Sequence, residues 1–496
     1  MVRSSSVHPS SLKTERSRAR HATSIFCLLV TVVLIPGCSV GPQYKRPLPG
    51  LQPYHNAPAI ESRAATLPSP TIDSWWTGFH DSDLNKIIER ALAQNLDLAA
   101  SFARVEQARA VAREAGAIRK PEFNLVGSDS ASRQSVATPI GRAVSGVIPG
   151  FNRNQNILDL GIGAAWEADI FGSLRRGAEA ANAEAQAAEA ERLGTRVSVV
   201  AESADAYMQI RGAQVRIAFT EEQIATDEHL LNLVLQRRNA GVASDREVAE
   251  AEALLSQAKA SVPQLNIALE AQLNRLDVLM GVQPGTYATE LNTTEDVPAV
   301  PGIAKTLNAS DLLRRRPDIV AAERRLAASN ARIGQALAEY YPRISLSALL
   351  GSEAETPASL FREAGFQPTL VPGLRWRLFD FGRIDAEVKR ARGANAEALA
   401  QYRSSVLRAA EEVEDAFSAL AQSELRCDEI LREIGALQRS KDLSQQSYEA
   451  GVIPLTDVLD ASRQLLVAKD DLTSSREAAA RAAVSSFRAL GGGWTR

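Results

Sequence analysis

Cysteine, histidine and aromatic residues are scarce in this chain, and each scarcity excludes something. Of 496 residues, three are Cys, five are His and 5% are Phe, Trp or Tyr. Cys27 and Cys38 lie near the N-terminus, which leaves Cys427 alone in the body and rules out a disulfide framework. Stability must therefore come from packing or from oligomerisation. His8 and His21 precede the body, and His55, His80 and His229 stand far apart. The run His80-Asp81-Ser82-Asp83 reads as a capped helix start rather than a metal site, because Asp and Ser are favoured at N-caps. A Gly-rich phosphate loop ending in Lys-Ser/Thr is missing as well, so the chain does not read as an ATPase.

The longest apolar stretch, Ile25 to Ile35, falls short of the roughly 20 residues a membrane-spanning helix needs. It follows Arg3, Lys13, Arg16, Arg18 and Arg20 and precedes Pro36-Gly37-Cys38. A short apolar run behind basic residues is the pattern of a secretory leader. A small residue before Cys resembles the lipobox of bacterial lipoproteins. The resemblance implies a signal peptide over 1–37, cleavage before Cys38, and a lipidated Cys38 carrying N-palmitoyl and S-diacylglycerol groups. Ser39 after the Cys permits transport to the outer membrane. Without the leader's five basic residues and one acid, 51 basic residues face 58 acidic ones, a net charge of −7. That balance speaks against nucleic acid as a partner. Residues 38–72, with Pro42, Pro47, Pro49, Pro53, Pro58, Pro68 and Pro70, read as an extended tether in which Pro forbids helix.

The body is written twice. Gln236-Arg237-Arg238-Asn239-Ala240-Gly241-Val242 recurs 210 residues later as Gln446-Ser447-Tyr448-Glu449-Ala450-Gly451-Val452. Trp166 and Trp376 keep the same offset, as do Phe171-Gly172 and Phe381-Gly382. A unit near 200 residues is far longer than solenoid periods of about 20–50. The reading is two repeats, 73–290 and 291–496, each ending in a helical hairpin with its tip near Gly241 or Gly451. The stretches Phe151–Val262 and Gly373–Ile453 contain no Pro and are rich in Ala, Glu, Gln, Leu and Arg. Ser173 to about Asn239 reads as one helix about 100 Å long, followed after Gly241 by another from about Asp245 to Leu279. Pro454 would open the matching helix in the second half. Such lengths point to coiled-coil packing.

Four segments instead alternate with a period of two, which means strand. They lie at about 121–131, 155–168, 342–352 and 367–379. Leu158, Leu160, Ile162, Ala164 and Trp166 share one face, against Asp159, Gly161, Gly163, Ala165 and Glu167 on the other. An apolar face opposite a polar one suits a membrane barrel with a wet lumen. Phe123, Trp166, Tyr340, Tyr341, Trp376 and Phe379 fall near strand ends, where interfacial aromatics belong. The links Ser128–Asn154 and Gly351–Phe366 would be loops outside the cell. About eight strands are the practical minimum for a barrel, so four per chain require oligomerisation, and a trimer would supply twelve.

At this point the chain resembles the outer-membrane factor family, the TolC-like outer-membrane lipoprotein channels of tripartite efflux systems. The resemblance is carried by Cys38-Ser39-Val40-Gly41-Pro42-Gln43-Tyr44, by Trp75-Trp76 through Leu98, by Arg315-Arg316-Pro317-Asp318-Ile319 through Ile344, and by the two Ala-Gly-Val turns. It implies an α+β membrane protein. The homotrimer would form a twelve-strand transmembrane β-barrel continued by a periplasmic α-helical barrel, with a mixed equatorial domain around its middle. It implies no cofactor beyond the lipid on Cys38 and no enzymatic chemistry. The implied partners are a periplasmic membrane-fusion adaptor and an inner-membrane pump, most naturally of the RND type. The protein would be a passive exit duct for small molecules. Rival readings are a type I protein-secretion conduit and a structural coiled-coil lipoprotein without a pore. By the same resemblance Gly241, Val242, Gly451 and Val452 are adaptor-contact tips. Asp442 would line the entrance as a cation-attracting ring, and Glu247 and Asp457 would pair with bases such as Arg439 to hold it shut.

Overall fold

The computed structural model describes residues 39–47, 50, 52–64, 68–148, 150–303 and 315–495. The leader and the lipidation candidate Cys38 lie outside them. The described residues divide into two compact units: one contains those within Arg113–Glu179 and Asn330–Arg392 together with residues 39–43, the other those within Tyr44–Ala112, Ala180–Ser329 and Gly393–Arg496.

The first unit is built on a four-stranded antiparallel sheet in the order β1-β2-β3-β4. Its strands are β1 (Glu122–Arg133), β2 (Asn154–Ala168), β3 (Arg343–Ala354) and β4 (Phe366–Arg375). Register keeps like with like: Leu125 pairs with Ile162, Trp166 with Leu346, and Ile344 with Leu374, so one face is a continuous apolar surface. Every residue of β1 is exposed, and Leu125 and Leu374, on the two edge strands, are 79% and 69% exposed. Among the described residues, nothing in the single chain covers this face. Two indoles pin the strands to the helix ends before them. Trp166 Nε1 donates to the Arg119 carbonyl at 3.1 Å, and Trp376 Nε1 to the Tyr340 carbonyl at 3.0 Å. Phe171 stacks on Tyr341 at 4.6 Å between centroids.

Three boundaries differ from the sequence expectation. β1 continues through Arg133 and β3 through Ala354, so the connecting loops are shorter than Ser128–Asn154 and Gly351–Phe366. The first connection contains a helix, Pro139–Val147, capped by Thr138, whose Oγ1 accepts from the Gly141 N–H at 3.2 Å. β4 stops at Arg375 rather than near 379, because its partner β3 begins at Arg343, the residue that pairs with Arg375, and offers no backbone beyond it.

In chain order the helices are α1 (Ala57–Ala64), α2 (Ser82–Gln94), α3 (Leu96–Ala117), α4 (Pro139–Val147), α5 (Ser173–Asn239), α6 (Asp245–Leu279), α7 (Pro317–Ala338), α8 (Arg383–Glu449) and α9 (Leu455–Ala489). The two long pairs match: α5 and α8 have 67 residues each, α6 and α9 have 35 each. Helix α1 corrects the reading of residues 38–72 as an unbroken extended tether. Pro58 sits in its first turn, where a missing N–H leaves no bond unmade. Residues of this segment also pack within the second unit: Tyr54 meets Phe417 edge-on at 6.1 Å, Tyr44 Oη donates to Glu323 Oε1 at 2.5 Å, and the Asn56 N–H donates to Glu414 Oε2 at 3.0 Å.

The core of the second unit forms where short elements meet the long helices. Trp75, in a 3-10 helix over Ile72–Phe79, stacks on Phe487 of α9 at 5.2 Å and meets Phe79 edge-on. Asp81 then does two things. Its Oδ1 accepts from the Asp83 and Leu84 N–H groups and so caps α2, while its Oδ2 accepts from the Tyr207 hydroxyl at 2.7 Å. Burial, with this hydrogen bond, pushes the Tyr207 phenol pKa up. Tyr207 accepts in turn from Arg211 Nε at 2.9 Å. The fully buried Arg211 also donates to the Thr293 carbonyl at 2.7 Å, to Glu295 at 2.9 Å and to Asp83 at 3.1 Å. A buried cation is tolerable only with such a complete set of partners. Arg211→Ala leaves Asp83 and the Thr293 carbonyl short of a donor. It should destabilise the fold by about 3–5 kcal/mol, against about 1 kcal/mol for Tyr207→Phe, read from thermal melts of the helical circular dichroism signal. Equal melts for the two variants would show that Arg211 is not the hub.

Candidate functional site

The two helical turns share one backbone solution. Between α5 and α6, the Gly241 N–H donates to the Arg238 carbonyl at 2.8 Å and the Val242 N–H to the Arg237 carbonyl at 2.9 Å. Between α8 and α9, the Gly451 N–H donates to Tyr448 and the Val452 N–H to Ser447, both at 2.9 Å. This pair of bonds is the Schellman termination, which needs a left-handed residue after the helix. Gly241 has φ +76° and Gly451 φ +75°. A Cβ on either glycine would meet nothing within 4 Å, so backbone conformation rather than crowding selects glycine here. The following valines point outward: Val242 is 66% exposed and Val452 76%.

Beyond the turn the two tips diverge. Ser244 and Glu247 form a reciprocal capping box at the start of α6: the Ser244 N–H donates to Glu247 Oε2 at 2.6 Å and the Glu247 N–H to Ser244 Oγ at 3.3 Å. The backbone N–H of Ser244 holds the Glu247 carboxyl below its usual pKa range, with the Ser244 hydroxyl and Arg237 and Arg246 adding to the effect. Pro454 occupies the matching position before α9 and offers no side-chain cap. Asp457, in the first turn of α9, is exposed. Among the described residues, neither Glu247 nor Asp457 pairs with Arg439, which is exposed. Neither expected pairing is made within one chain; the Glu247 carboxylate is committed to its own helix start. Asp442 is exposed and accepts from Gln438 Nε2 at 3.0 Å.

A contact that sequence reasoning missed joins the two hairpins. The Arg237 guanidinium lies 4.3 Å from the centre of the Tyr448 ring. Tyr448 is buried with Val234, Ala251, Leu455 and Val458, residues drawn from all four long helices. The signal was present in the repeat itself, since Tyr448 is the one aromatic residue in either turn motif.

In the first unit, the face of the sheet opposite the apolar one is polar. Asp159 stands directly across from Glu353 and accepts from Ser128 Oγ at 2.9 Å. Nearer the helices, Arg343 lies 3.9 Å from Glu167, and Arg377, just beyond β4, pairs with Glu339 at 2.8 Å. Among the described residues no group of His, Cys, Asp and Glu is arranged to hold a metal. No helix there is long and apolar enough to cross a membrane.

One chain thus combines a sheet with one apolar and one polar face and two matched pairs of long helices. The chain belongs to the outer membrane efflux protein family, whose pattern matches residues 87–282 and 308–492. It is 30% identical to the outer membrane protein OprJ of Pseudomonas aeruginosa, over 95% of this chain and 96% of that protein. It is 31% identical to the pyoverdine export outer membrane protein OpmQ of the same species, over 85% and 88%. The solved outer-membrane channel OprN superposes with a TM-score of 0.83 at 33% identity, over 92% of this chain and 100% of that one. The protein is an outer-membrane component of an efflux system, and its family is one of channels, not enzymes.

The capping box makes a pH prediction. Because the folded pKa of Glu247 is depressed, its contribution is complete above the ordinary glutamate pKa of about 4.3 and is lost as the pH falls through the lower folded value. Hydrogen-exchange protection of the first amides of α6 should fall across that acidic window in the native protein, and this pH dependence should be absent in Glu247→Gln, whose neutral amide oxygen can still accept from the Ser244 N–H. A flat pH profile would contradict the assignment.

Proposed function

We propose that three copies of this chain close into one twelve-strand barrel in the outer membrane, with β4 of each copy pairing with β1 of the next. The observation that carries this reading is the four-stranded sheet whose apolar face and edge strands are exposed in the single chain. Unpaired backbone groups cost several kcal/mol each in hydrocarbon, so an open sheet cannot stay open there. The strands, at 10 to 15 residues, have the length a tilted membrane strand needs, about 9–11 residues or more. The matched helix pairs α5–α6 and α8–α9, read as an internal duplication, then give six hairpins that wall a periplasmic tube, and small molecules leave through it passively. A lipid on Cys38 anchors the N-terminus.

The tips face the periplasmic adaptor, which links the duct to an inner-membrane pump of the RND type. Support comes from two turns of identical geometry that present exposed valines at their ends. Asp442, repeated three times, would draw cations to the entrance, and the Arg237–Tyr448 contact would help hold the two hairpins of each copy together. OpmQ is named for pyoverdine export; the cargo of the present channel is set chiefly by its pump.

Light scattering with detergent subtraction tests the assembly: three chains per particle, with steady conductance in a planar bilayer, is the expected result. Single-chain particles would end the barrel reading. Val242→Glu with Val452→Glu should leave assembly and conductance unchanged and abolish adaptor crosslinking, since both side chains are exposed. Undiminished crosslinking would remove the tips from the adaptor interface.

A further inference from the structure

The two strand-connecting loops of the sheet differ in length and in charge. The first, between Arg133 and Asn154, is the longer and carries α4; the second runs from Ala354 to Phe366. From Ser130 to Leu158 there is no acidic residue, but there are Arg133, Arg142 and Arg153. The second loop holds Glu355 and Glu363 with a single Arg362, and Glu353 stands just before it.

Both loops are internally braced. Pro139 and the Thr138 cap start α4, the Gln134 N–H donates to the Arg153 carbonyl at 2.7 Å, and Arg153 Nε returns a bond to the Gln134 carbonyl at 3.1 Å. In the second loop the Gly365 N–H donates to the Arg362 carbonyl at 2.9 Å, and the Ser359 and Thr356 hydroxyls are bonded to each other at 2.7 Å. Each braced loop nevertheless exposes apolar side chains. Ile140, Ala143, Val144 and Val147 fall at the i, i+3, i+4, i+7 spacing of one helix face. Ile140 is 72% exposed and Phe361 82%. The loops of one chain therefore do not cover each other, although β2 pairs with β3 beneath them.

We propose that the apolar face of α4 docks against the 355–365 loop of a second copy of this chain, with Phe361 as the inserted side chain, forming a clasp over the seam between copies. The proposal rests on the barrel reading above. If β4 of one copy pairs with β1 of the next, the acidic loop that leads into β4 stands beside the basic loop that leaves β1. Charge complementarity then selects the register, and the shared apolar contact excludes water from it. The clasp would be continuous with the strand seam and would resist its unzipping from the outer end.

The test uses the full chain in outer-membrane vesicles, with Val147→Cys and Phe361→Cys combined in a Cys427→Ser background. Mild oxidation should move most of the protein into covalent multi-chain bands on non-reducing gels, and neither single-cysteine variant should do so. Arg133→Glu with Arg142→Glu should reduce that yield severalfold, and adding Glu355→Arg with Glu363→Arg should restore it. A disulfide formed only within one chain would overturn the clasp. So would strong quenching by brominated lipids of a fluorophore placed at Val147→Cys, which would put α4 in the membrane surface instead. Three-chain particles by light scattering without crosslinks would reject the clasp and leave the barrel standing; single-chain particles would reject both.

Discussion

A strand in hydrocarbon must have every backbone N–H and C=O paired, and this requirement governs the rest of the molecule. One chain supplies four strands and leaves two edges bare. The apolar residues of the sheet are arranged for lipid on one face, yet among the described residues no element of the same chain closes the sheet or covers it. On the proposed reading, function belongs to the assembly and not to a single copy. The proposed ring satisfies the edges by repetition, and repetition also multiplies whatever stands at the strand ends and helix tips.

The tips show how a repeated backbone can carry different chemistry. Both turns need glycine for the same left-handed residue and make the same two bonds. The residues after the turn are free to vary, since helix starts have several ways of meeting their unpaired N–H groups. Ser244 and Glu247 solve the problem locally, whereas Pro454 removes one donor and supplies no side-chain acceptor. Arg237 and Tyr448 then join the two hairpins through a contact to which each half contributes a different residue type. In the proposed ring two kinds of hairpin end would alternate, and the proposed adaptor would meet two surfaces rather than one.

The second unit holds its long helices through short ones. Trp75 and Phe487 stack at its centre, and Asp81 turns a helix cap into a link to Tyr207 and Arg211. The cap was legible in the sequence, and its tertiary links were not. Trp75-Trp76 and Asp81 were visible as an apolar pair and a cap, but their partners lie more than a hundred residues away in the chain, and no local pattern points to them. The helix α1 was missed because a run of prolines masks a helix that places one proline in its first turn. The helix α4 was missed although the Thr138-Pro139 start and the spacing of Ile140, Ala143, Val144 and Val147 mark it, because nine residues are only about two and a half turns within a Ser- and Gly-rich link. The end of β4 was misplaced because the start of its partner β3 at Arg343, not a change in alternation, ends the ladder.

By itself the sequence determined the elements whose signals are local and repeated. Glycine after each long helix, the absence of proline within α5 and α8, and strict alternation along β2 and β3 fix conformation through backbone sterics and side-chain periodicity, which operate over a few residues. The 210-residue offset did the same for the pairing of the long helices. Only the tertiary structure decided how Glu247 is spent, which residues surround Arg211, and that Tyr448 lies under Arg237. Those outcomes depend on which distant groups burial brings within hydrogen-bonding or stacking range, and a linear pattern does not encode that distance.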